Sequence, residues 1–182
     1  MPSRQPFIVG IGGTTRADSG SEYALRIAMG VAEREGARVR LFGGAELSQL
    51  PIYDQDDEGG GSCRRELVEA VRGCDGLIIS SPGYHGSISG LIKNALDGLE
   101  DLRHDARPYL DGRAIGLIVT ADGWQAGGTT LSALRAIVHA LRGWPTPFGA
   151  LLNATARSDD DEVRLSLVAE QVLEFARLKI GG

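Results

Sequence analysis

Short apolar runs alternate with amphipathic stretches along this chain. The first run, Pro6 to Ile11, leads through glycine and threonine into a helical pattern from about Ser21 to Gly36. Ala24, Leu25, Ala28, Val31 and Ala32 recur there at helical spacing, and Gly36 is placed to cap the helix. Arg38 to Phe42 alternates Val39 and Leu41 with arginines, which suits a strand near a sheet edge. A loop rich in Gly, Pro and Asp runs from Gly43 to Gly61, followed by a helix over Ser62 to Gly73 carrying Leu67, Val68 and Val71. The third strand is expected at Gly76 to Ser80, and the next helix at Ser87 to Leu99. Ala114 to Thr120, continuously apolar apart from glycine and a final threonine, reads as a strand buried on both faces. A helix over Thr129 to Leu141 follows, then Trp144-Pro145-Thr146-Pro147 as a rigid entry turn to a strand at Phe148 to Leu152. The last helix starts near Ser158, with Asp159-Asp160-Asp161-Glu162 at its positive end and Val163, Leu167, Val168, Val172, Leu173 and Phe175 as its apolar face.

Five strands alternating with helices imply an α/β fold with a parallel sheet covered on both faces by right-handed crossovers. Length and order fit the doubly wound arrangement with strand order 2-1-3-4-5, a three-layer α/β/α sandwich. At 182 residues the chain is read as one domain, 1–182. Apolar residues make up 42%, enough for a core. No apolar run approaches the roughly 18 residues of a membrane span. Met1 to Pro6 lacks the apolar stretch of a signal peptide, so a cytoplasmic protein is expected. A net charge of −5 without a basic stripe argues against a nucleic-acid partner. Cys63 and Cys74 suggest neither a metal site nor a disulfide framework, and read as small semi-buried residues in or near one helix. Twenty-six glycines are many for this length, and the excess is read as clustering in loops.

Three of those loops leave the carboxyl ends of strands, where open α/β sheets bind ligands. The first is Gly10 to Ser21. Gly12 and Gly13 permit a sharp turn and close backbone approach. Hydroxyls of Thr14, Thr15, Ser19 and Ser21, the charged fork of Arg16 and the free amides beyond Gly20 at the helix start make an anion site. Gly10-x-Gly12-x-x-Thr15 lacks the third glycine of a dinucleotide fingerprint, and Phe42-Gly43-Gly44 offers no acid after strand two. There is no Gly-Lys-Ser/Thr of a P-loop either. A hydroxyl-rich loop suits a terminal phosphomonoester; the plainer alternative is a polar turn with Ser19 or Ser21 capping the helix.

The second loop, Ser80-Ser81-Pro82-Gly83-Tyr84-His85-Gly86-Ser87-Ile88-Ser89-Gly90 and on to Asp97, is the most specific segment. It resembles, almost residue for residue, the flavin loop of NAD(P)H-dependent FMN reductases of the flavodoxin-like superfamily. That family's pattern is Ser-Pro-Glu-Tyr-Asn/His-Gly-Ser-x-Pro-Gly-x-x-Lys-Asn-Ala-x-Asp; Gly83 stands here for the usual Glu and Ser89 for the usual Pro. The family's phosphate loop maps onto Gly13, Thr14, Arg16, Ser19 and Ser21, with Ser21 replacing Asn. Leu50-Pro51-Ile52-Tyr53-Asp54 resembles a further family segment that contributes to subunit contacts. The third loop, Thr120 to Thr129, matches the family's glycine-containing loop through Asp122, Gly123, Gly127 and Gly128; Trp124 lies over the ring, in a subunit contact, or packed within the loop.

The resemblance covers about residues 6 to 155. It implies FMN as cofactor, with its phosphate at the first loop and its ring on Pro82, Gly83, Tyr84, His85, Gly86 and Ser87. NADPH or NADH is the implied co-substrate and a small-molecule electron acceptor the oxidant. No metal and no catalytic side chain are expected. Hydride transfer to a flavin needs no base, so His85 is read as a polar edge contact, and Lys93, Asn94 and Asp97 as structural. A homodimer or homotetramer is expected, with no membrane partner. Quinone or azo reduction is the second reading, an electron-carrier flavodoxin a third, and a non-flavin anion-binding protein of this fold a fourth.

Overall fold

The computed structural model describes residues 4–57, 61–156 and 158–181. The expectation drawn from the first three residues, and residues 58–60 of the long loop, lie outside them. Five parallel strands form the sheet: β1 (Phe7–Gly12), β2 (Arg38–Phe42), β3 (Gly76–Tyr84), β5 (Ala114–Ala121) and β6 (Trp144–Asn153), in the order β2-β1-β3-β5-β6. Counting parallel strands alone, this is the expected order. The sheet is nevertheless six-stranded, because a short β4 (Ser87–Ile88) pairs antiparallel with the end of β3. The helices are α1 (Gly20–Arg34), α2 (Gly44–Leu47), α3 (Gly61–Gly73), α4 (Gly90–Asp97), α5 (Trp124–Ala140) and α6 (Asp161–Gly181).

Strand alternation divides the core between the two faces. Val9, Ile11, Leu77, Ile79, Ile115, Leu117 and Val119 pack with the apolar sides of α3, α4 and α5. Ile8, Ile78 and Ile118 turn the other way, onto α1 and α6. On that second face Gly10, Gly76 and Gly116 alternate with them. A Cβ on Gly116 would stand 2.6 Å from Val168 Cγ1, and one on Gly76 2.7 Å from Val172 Cγ1. Gly76 and Gly116 let α6 lie directly on the strands and Gly10 makes room for Met29 of α1, so part of the glycine content belongs to the sheet rather than to loops.

Four boundaries differ from the expectation, each for a local reason. Strand three does not stop at Ser80; it continues to Tyr84 because it acquires β4 as a partner. The following helix therefore starts at Gly90, capped by Ser89, whose Oγ accepts from Ile92 N at 3.3 Å, and passes into a 3-10 turn at Gly98–Leu102. Helix α5 starts at Trp124, not Thr129, so Gly127 and Gly128 are helical. A Cβ on Gly127 would collide with the Leu151 side chain; close packing there offsets the helical cost of glycine, about 1 kcal/mol. Finally, Trp144 to Pro147 is not a turn but the start of β6, an edge strand that tolerates prolines. Its ladder shifts register between Ile115 and Leu117, and Arg135 donates to the carbonyls of Thr146 and Pro147 at 3.0 Å each. The buried stripe of α6 is also rotated. It consists of Leu165, Val168, Ala169, Val172, Leu173 and Ala176, whereas Val163 is 68% exposed and Leu167 37%. Phe175 is half-buried beside Trp144.

The amino edge of the sheet is sealed. Arg113 is wholly buried and donates to the carbonyls of Cys74 (3.2 Å), Tyr109 (3.0 Å) and Arg72 (2.8 Å), closing the end of α3. Asp75 accepts from Phe7 N at 2.8 Å and from Arg4 at 2.6 Å. Cys74 is buried and Cys63 half-buried, at the end and start of α3. Among the described residues no helix is long and apolar enough to cross a membrane.

Candidate functional site

At the carboxyl edge, β1 ends in Gly12 and turns through Gly13, whose φ of +127° lies where side-chain-bearing residues are strained. The loop then lies against the start of α2: a Cβ on Gly44 would collide with the Thr14 carbonyl. The Glu22 carboxylate holds the two together, accepting from Gly44 N at 2.8 Å while pairing with Arg26. Ser19 caps α1, its Oγ accepting from Glu22 N at 3.3 Å. Its hydroxyl is 3.0 Å from that of Ser21, and Ser80 Oγ donates to the Ser21 carbonyl at 2.8 Å. Ser19, Ser21 and Ser80 are buried, so this side of the loop is rigid. Thr14 Oγ1 accepts from Arg16 N at 3.2 Å. The Arg16 side chain is exposed and its guanidinium has no partner among the described residues.

The second segment is a hairpin. Tyr84 and Ser87 pair across His85 (φ 52°) and Gly86 (φ 83°), the two left-handed residues that a tight two-residue hairpin turn demands. Ser81, buried, accepts from Ser89 N at 3.0 Å and donates to the Pro82 carbonyl at 2.9 Å, tying the returning strand to the outgoing one. Behind the hairpin, α4 pins the Leu50–Tyr53 segment. Asn94 Nδ2 donates to the Pro51 carbonyl at 2.9 Å, and Tyr53 N donates to Asn94 Oδ1 at 2.7 Å. Lys93 pairs with Asp97 on the exposed side of the same helix.

The loop after β1 with the start of α1, and the outgoing strand of the hairpin, border one cleft of about 780 Å³, of a size ordinary for a cofactor. Of the residues singled out from the sequence, Thr14, Arg16, Ser19, Gly20, Ser21, Pro82, Gly83, Tyr84 and Asp122 line it. Gly13 and Thr15 lie in the loop but off the lining, and His85, Gly86 and Ser87 form the tip and return of the hairpin. Gly123 caps α5, and Gly127 and Gly128 lie within that helix. Trp124 opens α5 and is 58% exposed. Thr120 and Ala121, the start of the expected third loop, line the cleft from the end of β5; the far wall went unread in the sequence: Leu152 to Ala154 at the end of β6, and Asp159, Asp161, Glu162 and Leu165 around the start of α6. The rule that open sheets bind ligands beyond their carboxyl ends applies to β6 as it does to β3 and would have flagged it. Arg16 is the single cation among the lining residues; Asp18 beside it, Asp122 after β5, and Asp159, Asp161 and Glu162 around the start of α6 are the acids of the same lining. Among the described residues no three His, Cys, Asp or Glu side chains gather as metal ligands.

A sequence profile for NADPH-dependent FMN reductases matches residues 6–157. The chain belongs to this family. One relative is an FMN-dependent NADPH-azoreductase of Staphylococcus haemolyticus, 33% identical over 122 residues. That stretch is 61% of each protein, so the match spans under two thirds of the relative's length. In overall fold the family member resembles an oxidoreductase of Corynebacterium diphtheriae (TM-score 0.79, 16% identity, 96% of this chain and 98% of that one). It also resembles a flavoenzyme NAD(P)H:(acceptor) oxidoreductase of Paracoccus denitrificans (TM-score 0.71, 19% identity, 97% and 99%). At such identities the likeness is one of flavodoxin-like fold.

Proposed function

We propose that the protein is an NAD(P)H-dependent FMN reductase, a one-domain cytoplasmic homodimer or homotetramer that passes electrons from NADPH or NADH through FMN to a small-molecule acceptor. The observation that carries this reading is one cleft with an arginine that has no partner among the described residues and a helix start at one end, and a glycine-containing hairpin wall beside it. FMN fits these residues. Its phosphate dianion meets the Arg16 guanidinium, the hydroxyls of Thr14, Ser19 and Ser21, and the amides of Gly20 and Ser21 at the α1 start, ahead of Glu22 N and Tyr23 N, which Ser19 already accepts. A Cβ on Gly20 would meet nothing within 4 Å, so the approach to those amides is open. Pro82, Gly83 and Tyr84 border the place for a flat ring, with Asp122 at the end of the adjoining strand. Gly13 shapes the loop; His85, Gly86 and Ser87 hold the hairpin, and Gly123, Gly127 and Gly128 set the start of α5 beside it.

When bound, the isoalloxazine supplies the redox chemistry, accepting hydride from the nicotinamide and returning electrons to the acceptor. The chain's own part is position and charge. Arg16 and the α1 start fix the phosphate end, so the ring end falls against the hairpin, and proximity provides most of the rate. His85 sits on the exposed turn outside the cleft lining, in keeping with a reaction that asks no proton of a side chain. The name of the Staphylococcus relative supports azo reduction as the second reading. Anaerobic titration tests the proposal. Stoichiometric FMN is expected to bind with a changed visible spectrum and to be bleached by NADPH or NADH; an unchanged spectrum overturns it. Turnover with flavin, quinone and azo acceptors then separates the readings.

A further inference from the structure

Gly83, the position where the family pattern has a carboxylate, borders the cleft, yet its missing side chain would turn toward α5. An ideal Cβ there stands 2.9 Å from Thr130 Oγ1 and 3.1 Å from Ala121 Cβ. Thr130 is wholly buried. Its hydroxyl lies 2.8 Å from the carbonyl of Ala126, one turn back in its own helix, and 3.3 Å from the carbonyl of Ser87 in β4. A hydroxyl carries one proton and serves one of these acceptors at a time. The Ala126 carbonyl belongs to the helical ladder, whereas the Ser87 carbonyl is on the return strand of the hairpin whose outgoing strand supplies Pro82, Gly83 and Tyr84 to the cleft. The space freed at position 83 and the hydroxyl that fills it therefore tie α5 to the hairpin wall at one point.

We propose that Gly83 and Thr130 form a matched pair that sets where the hairpin wall of the cleft stands, with Thr130 as a positioning residue. A β-carbon at 83 drives the hairpin and α5 apart; loss of the Thr130 proton releases β4 without altering the packed volume. The proposal rests on the reading of the cleft as a flavin site for its binding readout alone.

The test follows amide hydrogen exchange across Tyr84 to Ser89 together with FMN affinity. Thr130→Val, similar in shape but without the proton, is expected to speed exchange in the hairpin and to weaken FMN about fivefold, while Thr130→Ser stays within about twofold of the parent on both. Gly83→Ala is expected to weaken FMN about tenfold, and adding Thr130→Ala to it costs less than the product of the two single losses. Three results would overturn the pair: hairpin exchange in Thr130→Val equal to the parent, Thr130→Ser behaving as Thr130→Val, or single losses that simply multiply. Should Gly83→Ala not fold, the two Thr130 variants decide. Should the parent protein not bind FMN, the proposed function fails, and hairpin exchange still decides the pair.

Discussion

Arg113 and Arg16 stand at opposite edges of one sheet. Arg113, just before β5, is 1% exposed and gives its guanidinium to four main-chain carbonyls. Arg16, beyond β1, is exposed on the cleft with no partner among the described residues. The same side chain closes the protein at one edge and is left unspent at the other. A buried donor without an acceptor is costly, so the amino edge satisfies its groups internally: Asp75 receives the Phe7 amide and Arg4, and Cys74 lies against Arg113. The carboxyl edge instead keeps an exposed guanidinium beside the exposed Gly20 that opens α1. Stability and binding are expected to separate along this axis.

The largest effect is expected at the sealed edge. Arg113→Met removes the guanidinium from the Arg72 and Tyr109 carbonyls and leaves the Cys74 carbonyl only its longer bond from Arg107; it should cost about 3 kcal/mol in denaturant unfolding, with FMN affinity of the folded protein unchanged. A comparable loss of FMN affinity would break the contrast. Next is a pH effect at the same edge. Burial pushes the Cys74 thiol up to about 11, with the neighbouring arginines opposing. A raised thiol favours the neutral fold, so this stabilisation is present below about pH 9 and is lost as pH rises toward 11. Relative to Cys74→Ala, the parent should lose on the order of 2 kcal/mol across that window, measured as the difference between the two stability profiles.

At the open edge, Arg16→Ala should weaken FMN about tenfold to a hundredfold while leaving riboflavin binding and the melting temperature as they were. Equal losses for both ligands would remove the phosphate from that loop. The smallest effect tests where the division blurs. Ser19 both caps α1 and lines the cleft. Ser19→Ala should cost about 1 kcal/mol of stability and a few-fold in FMN affinity together. A change in only one of the two would draw the boundary between the edges more sharply.

Much of this was legible in the chain. The period-two and period-3.6 patterns placed the parallel strands and most helices, because burial on both faces leaves runs such as Ala114 to Ala121 without a polar side until Thr120. The Gly12-to-Ser21 loop was legible because its chemistry is local: glycines, hydroxyls and an arginine ahead of a capped helix. The hairpin was not, since β3 extends to Tyr84 only through its pairing with β4, a partner local propensity does not reveal. Gly127 and Gly128 looked like loop residues because glycine disfavours helices; Leu151, on another element, changes that balance. The far wall of the cleft was missed for the same reason: Leu152 and Leu165 join it only once β6 and α6 are packed beside α1.

By itself the sequence determined the layers, the order of the parallel strands and the loop of glycines, hydroxyls and an arginine after β1, since these follow from periodicity and from residues adjacent in the chain. Tertiary structure alone decided which of the two arginines is sealed and which is free, and why position 83 holds no side chain. Those outcomes depend on groups such as Thr130 and the Cys74 carbonyl, brought within a few ångströms by packing between elements far apart in the chain.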